Sequence, residues 1–192
     1  MAPFRDAIRH LAEKMQTCDE WLELSRDLGE PIFPGAAPEG LRMRWAEKSD
    51  LFAINALQGF VKETDFMEAA LQKGDRCLLL DDPDGLRAFA WVTFRDFRLA
   101  LWYTLTLDSG TCYLVYIYVH PALGGRGIGS FLLGSLMAAV RDQGGREMIS
   151  GMYSDWEASL RMHLRMGFRI RRRLRQCRVL QIFPTPPKDM EI

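Results

Sequence analysis

The chain has 192 residues, and its 25 Lys and Arg balance 25 Asp and Glu. At about 100–200 residues per domain, that length suits a single domain. A hydrophobic fraction of 48% excludes a disordered or collagen-like chain, and zero net charge argues against a dedicated nucleic-acid binder, which needs a basic excess.

The zero is an average over two unlike halves. Residues 1–110 carry 13 basic and 19 acidic side chains, and residues 111–192 carry 12 and 6. This polarity points to an anionic ligand in the second half. Cys18, Cys77, Cys112 and Cys177 are far apart, with no CxxC pair, so no metal site is expected. The first 22 residues are too charged for a secretory signal. No apolar run reaches the roughly 18–20 residues that cross a bilayer. These features predict a cytoplasmic protein with free thiols and no membrane partner.

Phe4, Ile8, Leu11, Met15, Cys18 and Leu22 advance by steps of four and three, which predicts an N-terminal helix. Its apolar stripe serves either its own domain or a homodimer contact. Gly29–Gly40 is punctuated by Pro31, Pro34 and Pro38 and separates this extension from the rest. Leu41–Trp45 alternates as a strand, and Ser49 or Asp50 caps a helix through Gln58. A short helix, Asp65–Leu71, ends near Gly74. Four strands follow as a meander: Cys77–Leu80, Leu86–Phe94, Leu99–Leu107 and Thr111–Val119. Then come a glycine-rich loop, a helix Phe131–Arg141, a strand Met148–Met152 and a helix Trp156–Met166. A strand pair, Phe168–Leu174 and Val179–Phe183, and a loose tail at 184–192 complete the chain. The order predicts an α/β (α+β) domain: a mixed, mostly antiparallel sheet of about six or seven strands flanked by helices. The expected organisation is an extension at 1–40, a core at 41–183 and the tail.

The informative segment joins the apolar strand ending at Val119 to the next helix. Its loop holds Gly124, Gly125, Gly127 and Gly129. Glycines let backbone N–H groups converge without interference from Cβ. The first N–H groups of the helix are unpaired and sit at the positive end of its dipole. Such a loop suits a phosphate or pyrophosphate. It lacks the Gly-Lys-Ser/Thr of a Walker loop. It also lacks the final glycine or alanine of a dinucleotide fingerprint, since Ser130 stands there.

Val119-His120-Pro121 followed by Gly124-Gly125-Arg126-Gly127-Ile128-Gly129 resembles the acyl-CoA loop of the GNAT (general N-acetyltransferase) superfamily. A second stretch, His163-Leu164-Arg165-Met166-Gly167-Phe168, is similar to that family's helix end followed by Gly-Phe. The resemblance spans roughly Leu41 to Phe183. It departs from the family at Gly124, where Arg or Gln is usual, and at His163, where Tyr is usual.

The resemblance implies direct transfer of an acyl group from acetyl-CoA, or another acyl-CoA, to an amine acceptor. It implies a cofactor site built from Gly124, Gly125, Arg126, Gly127, Ile128, Gly129 and Ser130. It adds the strand stretch Ile117, Tyr118 and Val119, whose backbone would polarise the thioester carbonyl, and Trp156, which packs on CoA or on the core. His163 becomes a candidate general acid for the leaving thiolate. Tyr116 and Tyr118 share a strand face and either line the acceptor pocket or pack in the core. No Asp or Glu lies on that strand to act as base. An alternative is a GNAT-fold CoA sensor or interaction module with little turnover. Eight arginines between Arg161 and Arg178, with no acid among them, face CoA, an anionic acceptor, nucleic acid or the acidic half of the chain.

Overall fold

The computed structural model describes residues 16–58, 64–100, 103–179, 183–184 and 188–190. In chain order, β1 (Gln16–Asp27) and β2 (Arg42–Trp45) precede α1 (Leu51–Gln58) and α2 (Thr64–Gln72). Then come β3 (Arg76–Asp82), β4 (Gly85–Thr93), β5 (Phe97–Ala100), β6 (Tyr103–Leu105) and β7 (Thr111–Val119). The site-bearing part follows as α3 (Ile128–Asp142), β8 (Glu147–Tyr153), α4 (Glu157–Arg165) and β9 (Arg169–Val179), with short β10 (Phe183–Pro184) and β11 (Lys188–Met190).

The main sheet runs β10-β9-β1-β8-β7-β4-β3-β2, with β11 also bonded to β9. Apart from the short β10 and β11, it is a mixed sheet of seven strands. The β7–β8 pair is parallel; the other pairs are antiparallel. Both faces are covered, so successive residues of β3 are buried on opposite sides. Leu78 and Leu80 pack with Leu132, Leu133 and Leu136 of α3. Cys77 and Leu79 pack with Leu51 and Ile54 of α1 and with Phe89 and Trp91 of β4.

The expected N-terminal helix is corrected where the structure describes it: residues 16–22 belong to strand β1. The rest of that stripe lies outside the described residues. β1 is inserted between β8 and β9, with Leu22 opposite Met152 and Glu20 opposite Arg175. Leu22 and Leu24 are buried in the same core as α3. The following loop packs there too: a Cβ on Gly134 would lie 2.5 Å from Pro34 Cα. The expected boundary at Gly40 therefore falls between two parts of one sheet.

Three further expectations change. Leu99–Leu107 is not a strand of the main sheet; β5 and β6 form a separate hairpin, and β4 bonds directly to β7. The first strand of the expected closing pair runs on to Val179 as β9 and bonds to β1 as well as to β10, while residues 180–182 of the second lie outside the described residues. The tail is not wholly loose, since Lys188–Met190 pairs with Arg173–Arg175.

The location of β1 also accounts for much of the arginine run. Arg173 lies 2.8 Å from Glu20, Arg169 2.9 Å from Glu30 and Arg171 3.7 Å from the buried Glu23. Three of the six arginines of β9 thus meet acids from the first half of the chain.

Leu24 is fully buried on β1 in the interior of the sheet. Leu24→Ala should cost about 2–5 kcal/mol in urea denaturation, as for a fully buried leucine. A change below about 0.5 kcal/mol would match an exposed surface position instead.

Candidate active site

Backbone pairing determines where the sheet opens. On its β4 side, β7 carries a bulge: Tyr116 faces Trp91 and Leu114 faces Val92, so Val115 is the extra residue. On its other side, β7 pairs with β8 only from Thr111/Glu147 to Leu114/Ser150. Past that point β8 stays with β1, as Gly151 faces Glu23 and Tyr153 faces Trp21. The edge Val115–Val119 has parted from β8. Between the strands lies a cavity of about 190 Å³, lined in part by Tyr116, Ile117, Ser150, Gly151, Trp156 and His163. A parted edge presents backbone N–H and C=O groups to whatever enters.

β7 runs from this cleft into the glycine loop. Pro121–Leu123 form one 3-10 turn, and Ala122 N–H donates to His120 Nδ1 at 3.2 Å. Gly124 N–H closes the turn on the Pro121 carbonyl at 3.0 Å. Gly125 and Gly127 have φ of 74° and 78°, a region that favours glycine. The first backbone bond of α3 is Phe131 N–H to the Gly127 carbonyl, at 2.9 Å. Among the described residues, the amides of Gly125, Arg126, Gly127, Ile128, Gly129 and Ser130 have no backbone acceptor. Arg126 is exposed beside them, and no acid occurs between Asp108 and Asp142. Free amides, a helix N-terminus and a cation make a fit for a pyrophosphate. At Gly124, a Cβ would sit 3.1 Å from the Pro121 carbonyl oxygen. A side chain there, usual in the family it resembles, would need the turn to give by a few tenths of an ångström.

His163 lies under the cleft. It is 1% exposed, and its ring meets Phe168 edge-on at 5.0 Å. Nδ1 is 2.8 Å from the Ser159 carbonyl oxygen, and Nε2 is 3.1 Å from Ser150 Oγ. A carbonyl only accepts, so Nδ1 carries the proton and Nε2 accepts from the Ser150 hydroxyl. Burial pulls the His163 pKa below the ordinary histidine value, against the opposing effect of the Ser159 carbonyl.

The structure brings some expected residues together and separates others. Tyr116, Ile117, Trp156 and His163 share the cleft lining. Tyr118 does not line it; Tyr118 and Tyr116 both stack on Phe89, at 5.9 and 5.8 Å. Burial and the neighbouring Tyr118 raise the Tyr116 pKa. Trp156 is 53% exposed at the start of α4 and meets Tyr153 edge-on. Ser150 and Ser159 were missed in the sequence. The available signal was a lone hydroxyl inside the apolar run Met148–Met152. Cys112 is a buried thiol whose pKa burial pushes up to about 12, so it is no nucleophile. Among the described residues no cluster suits a metal ion, and no helix is long and apolar enough to cross a membrane.

The unfolded chain protonates this histidine near about pH 6.5, whereas the folded chain resists. As pH falls, the unfolded state binds the extra proton first. The stabilisation from burying neutral His163 is complete above about pH 6.5 and is lost below it. The urea midpoint of the wild type should therefore drop more between about pH 7 and about pH 5 than that of His163→Gln. Equal drops would show that His163 is not held neutral.

Residues 42–168 match the model of the acetyltransferase (GNAT) family. Phosphinothricin N-acetyltransferase from Streptomyces coelicolor is 45% identical over 94 residues, 49% of this chain and 52% of its own. L-methionine sulfoximine/L-methionine sulfone acetyltransferase from Salmonella typhimurium is 30% identical over 93 residues, 48% of this chain and 50% of its own. The chain thus spans about half the length of these curated relatives. A GCN5-related N-acetyltransferase from Sphaerobacter thermophilus superposes with a TM-score of 0.66 at 15% identity, covering 98% of this chain and 58% of that one. An acetyltransferase from Salmonella typhimurium, solved with its cofactor acetyl-CoA, superposes with a TM-score of 0.53 at 25% identity, covering 66% of this chain and 78% of that one. With its family model matched over most of the sheet, the glycine loop and α4, this chain belongs to the GNAT acetyltransferase family.

Proposed function

We propose that the chain is an N-acyltransferase that moves an acetyl or related acyl group from acyl-CoA directly to a small amine. The observation that carries this reading is the parting of β7 from β8 beside a loop of unbonded amides. One feature suits the extended arm of a CoA thioester and the other its pyrophosphate. The relatives' names support an amino acid or amino-acid analogue as acceptor: phosphinothricin, methionine sulfoximine and, in a third relative from Escherichia coli, L-amino acids.

Gly125 to Ser130 would hold the pyrophosphate through their amides, with Arg126 adding charge. The β7 edge past the Val115 bulge would align the acyl arm and donate N–H to its carbonyl oxygen. Bound acyl-CoA supplies an acyl group already activated as a thioester. Trp156 would close the mouth of the cleft over the arm. The unbonded thiols of Cys77 and Cys112 support a reducing compartment such as the cytoplasm.

Acetyl-CoA at about 100 times its Kd should stabilise the chain by about 2.7 kcal/mol. In a thermal melt, Gly127→Trp should abolish that shift, because φ at this position is 78° and a bulky side chain would cover the amides. Thiol release from acetyl-CoA should then appear with L-amino acids or their analogues. No thermal shift would overturn the CoA reading. A shift without thiol release on any amine would favour the CoA-sensing module instead.

A further inference from the structure

We propose that Ser150 and His163 form a proton relay that opens into the cleft through the Ser150 hydroxyl, making Ser150, and not the imidazole, the group that meets the reacting atoms. This proposal rests on the acyltransferase reading above.

Three observations carry it. Ser150 is the last β8 residue paired with β7, opposite Leu114, so it stands at the apex where the strands part. Both imidazole nitrogens of His163 are occupied inside the protein, Nδ1 by the Ser159 carbonyl at 2.8 Å and Nε2 by Ser150 Oγ at 3.1 Å. Nδ1 holds the proton, so Nε2 has none to give directly to a leaving thiolate. The Ser150 hydroxyl, having donated to Nε2, still has oxygen lone pairs with which to accept a proton from the cleft.

The lining also lacks a carboxylate. Its groups able to move a proton are Tyr116 on β7, Ser150 on β8, and Ser159 and His163 on α4. The charged side chains of α4 (Glu157, Arg161 and Arg165) are exposed, and Arg161 lies 3.6 Å from Glu157. Phe168 covers the imidazole with an aromatic edge. A single relay can serve both proton needs of the reaction in turn.

The neutral amine nitrogen bonds to the thioester carbon and sheds one proton to Ser150 Oγ, while the Ser150 proton passes to His163 Nε2. The Ser159 carbonyl holds the resulting imidazolium through Nδ1–H. The C–S bond then breaks with its electron pair on sulfur. The proton returns from Nε2 to Ser150, and the Ser150 proton passes to sulfur. One N–C bond has formed, one C–S bond has broken, one proton has moved from nitrogen to sulfur, and the pair is restored.

The test uses the full chain. In ¹⁵N-histidine NMR of the free protein, His163 should show the Nδ1–H tautomer, with Nε2 shifted by an accepted hydrogen bond. Ser150→Ala should move Nε2 to the position of an unbonded acceptor. Addition of coenzyme A should move Nε2 in the wild type and not in Ser150→Ala. An Nε2–H tautomer, or an Nε2 resonance indifferent to Ser150→Ala, overturns the relay whether or not turnover is found.

In turnover with acetyl-CoA and an accepted amine, Ser150→Ala should lower kcat by about 10²-fold or more, the scale of general acid–base catalysis. KM for acetyl-CoA should stay within about twofold, and Ser150→Thr, which keeps the hydroxyl, should recover most of kcat. Because burial keeps His163 neutral past the ordinary imidazole value of about 6.5, the wild-type kcat should show its acid limb below that pH, and the limb should vanish in Ser150→Ala. A wild-type kcat in Ser150→Ala, or a loss confined to KM, overturns the relay. If the wild type itself turns over no amine, the acyltransferase reading fails, and the NMR result alone decides the relay.

Discussion

Where β7 parts from β8, two neighbouring strands give up the bonds that would normally continue between them, and the rest of the site is arranged around that loss. The parallel pair holds for four residues on each strand and then stops at Leu114 and Ser150. An unpaired backbone edge in a sheet interior is costly unless something else bonds to it. Here both strands keep a partner on the far side, β4 for β7 and β1 for β8, so the sheet survives with a wedge in its middle. The Val115 bulge belongs to the same device. It gives β7 an extra residue and puts Tyr116 and Tyr118 together on the Phe89 side.

Much of this depends on contacts distant in sequence. The glycine loop was legible because its chemistry is local: four glycines in six positions, then a helix, speak for amides aimed at an anion whatever the surrounding fold. His163 was legible as a position but not as an environment. Its hydroxyl partner lies 13 residues earlier on another element, and although Ser150 stands out as a lone hydroxyl in Met148–Met152, nothing local pairs it with His163. The bulge has no sequence signal either, since Val115 is an ordinary strand residue.

The misread N-terminus has a definite cause. Cys18 and Leu22 are four apart, a spacing that shares a face both on a helix and on a strand. What decides between them is the neighbour. β9 presents Arg169, Arg171 and Arg173, and β1 answers with Glu20 and Glu23, aided by Glu30. Charges summed by halves of the chain registered this pairing as a net imbalance, which looked like the footprint of an anionic ligand. Much of it is the two halves holding each other. Beside the cleft, the loop amides and Arg126 supply positive character that this pairing does not use.

The central location of β1 also bears on how the protein is made. Its strand partners come from the far end of the chain: Glu20 and Arg173 are 153 positions apart. At about 5–20 residues per second, synthesis leaves β1 waiting roughly 8–30 s for that partner. During that time both of its edges are open to pairing with other chains. Glu20 and Glu23, one on each face among Trp21, Leu22 and Leu24, give the waiting strand a charged guard against such pairing. Final closure of the sheet is a late, long-range event, the kind of contact that slows folding.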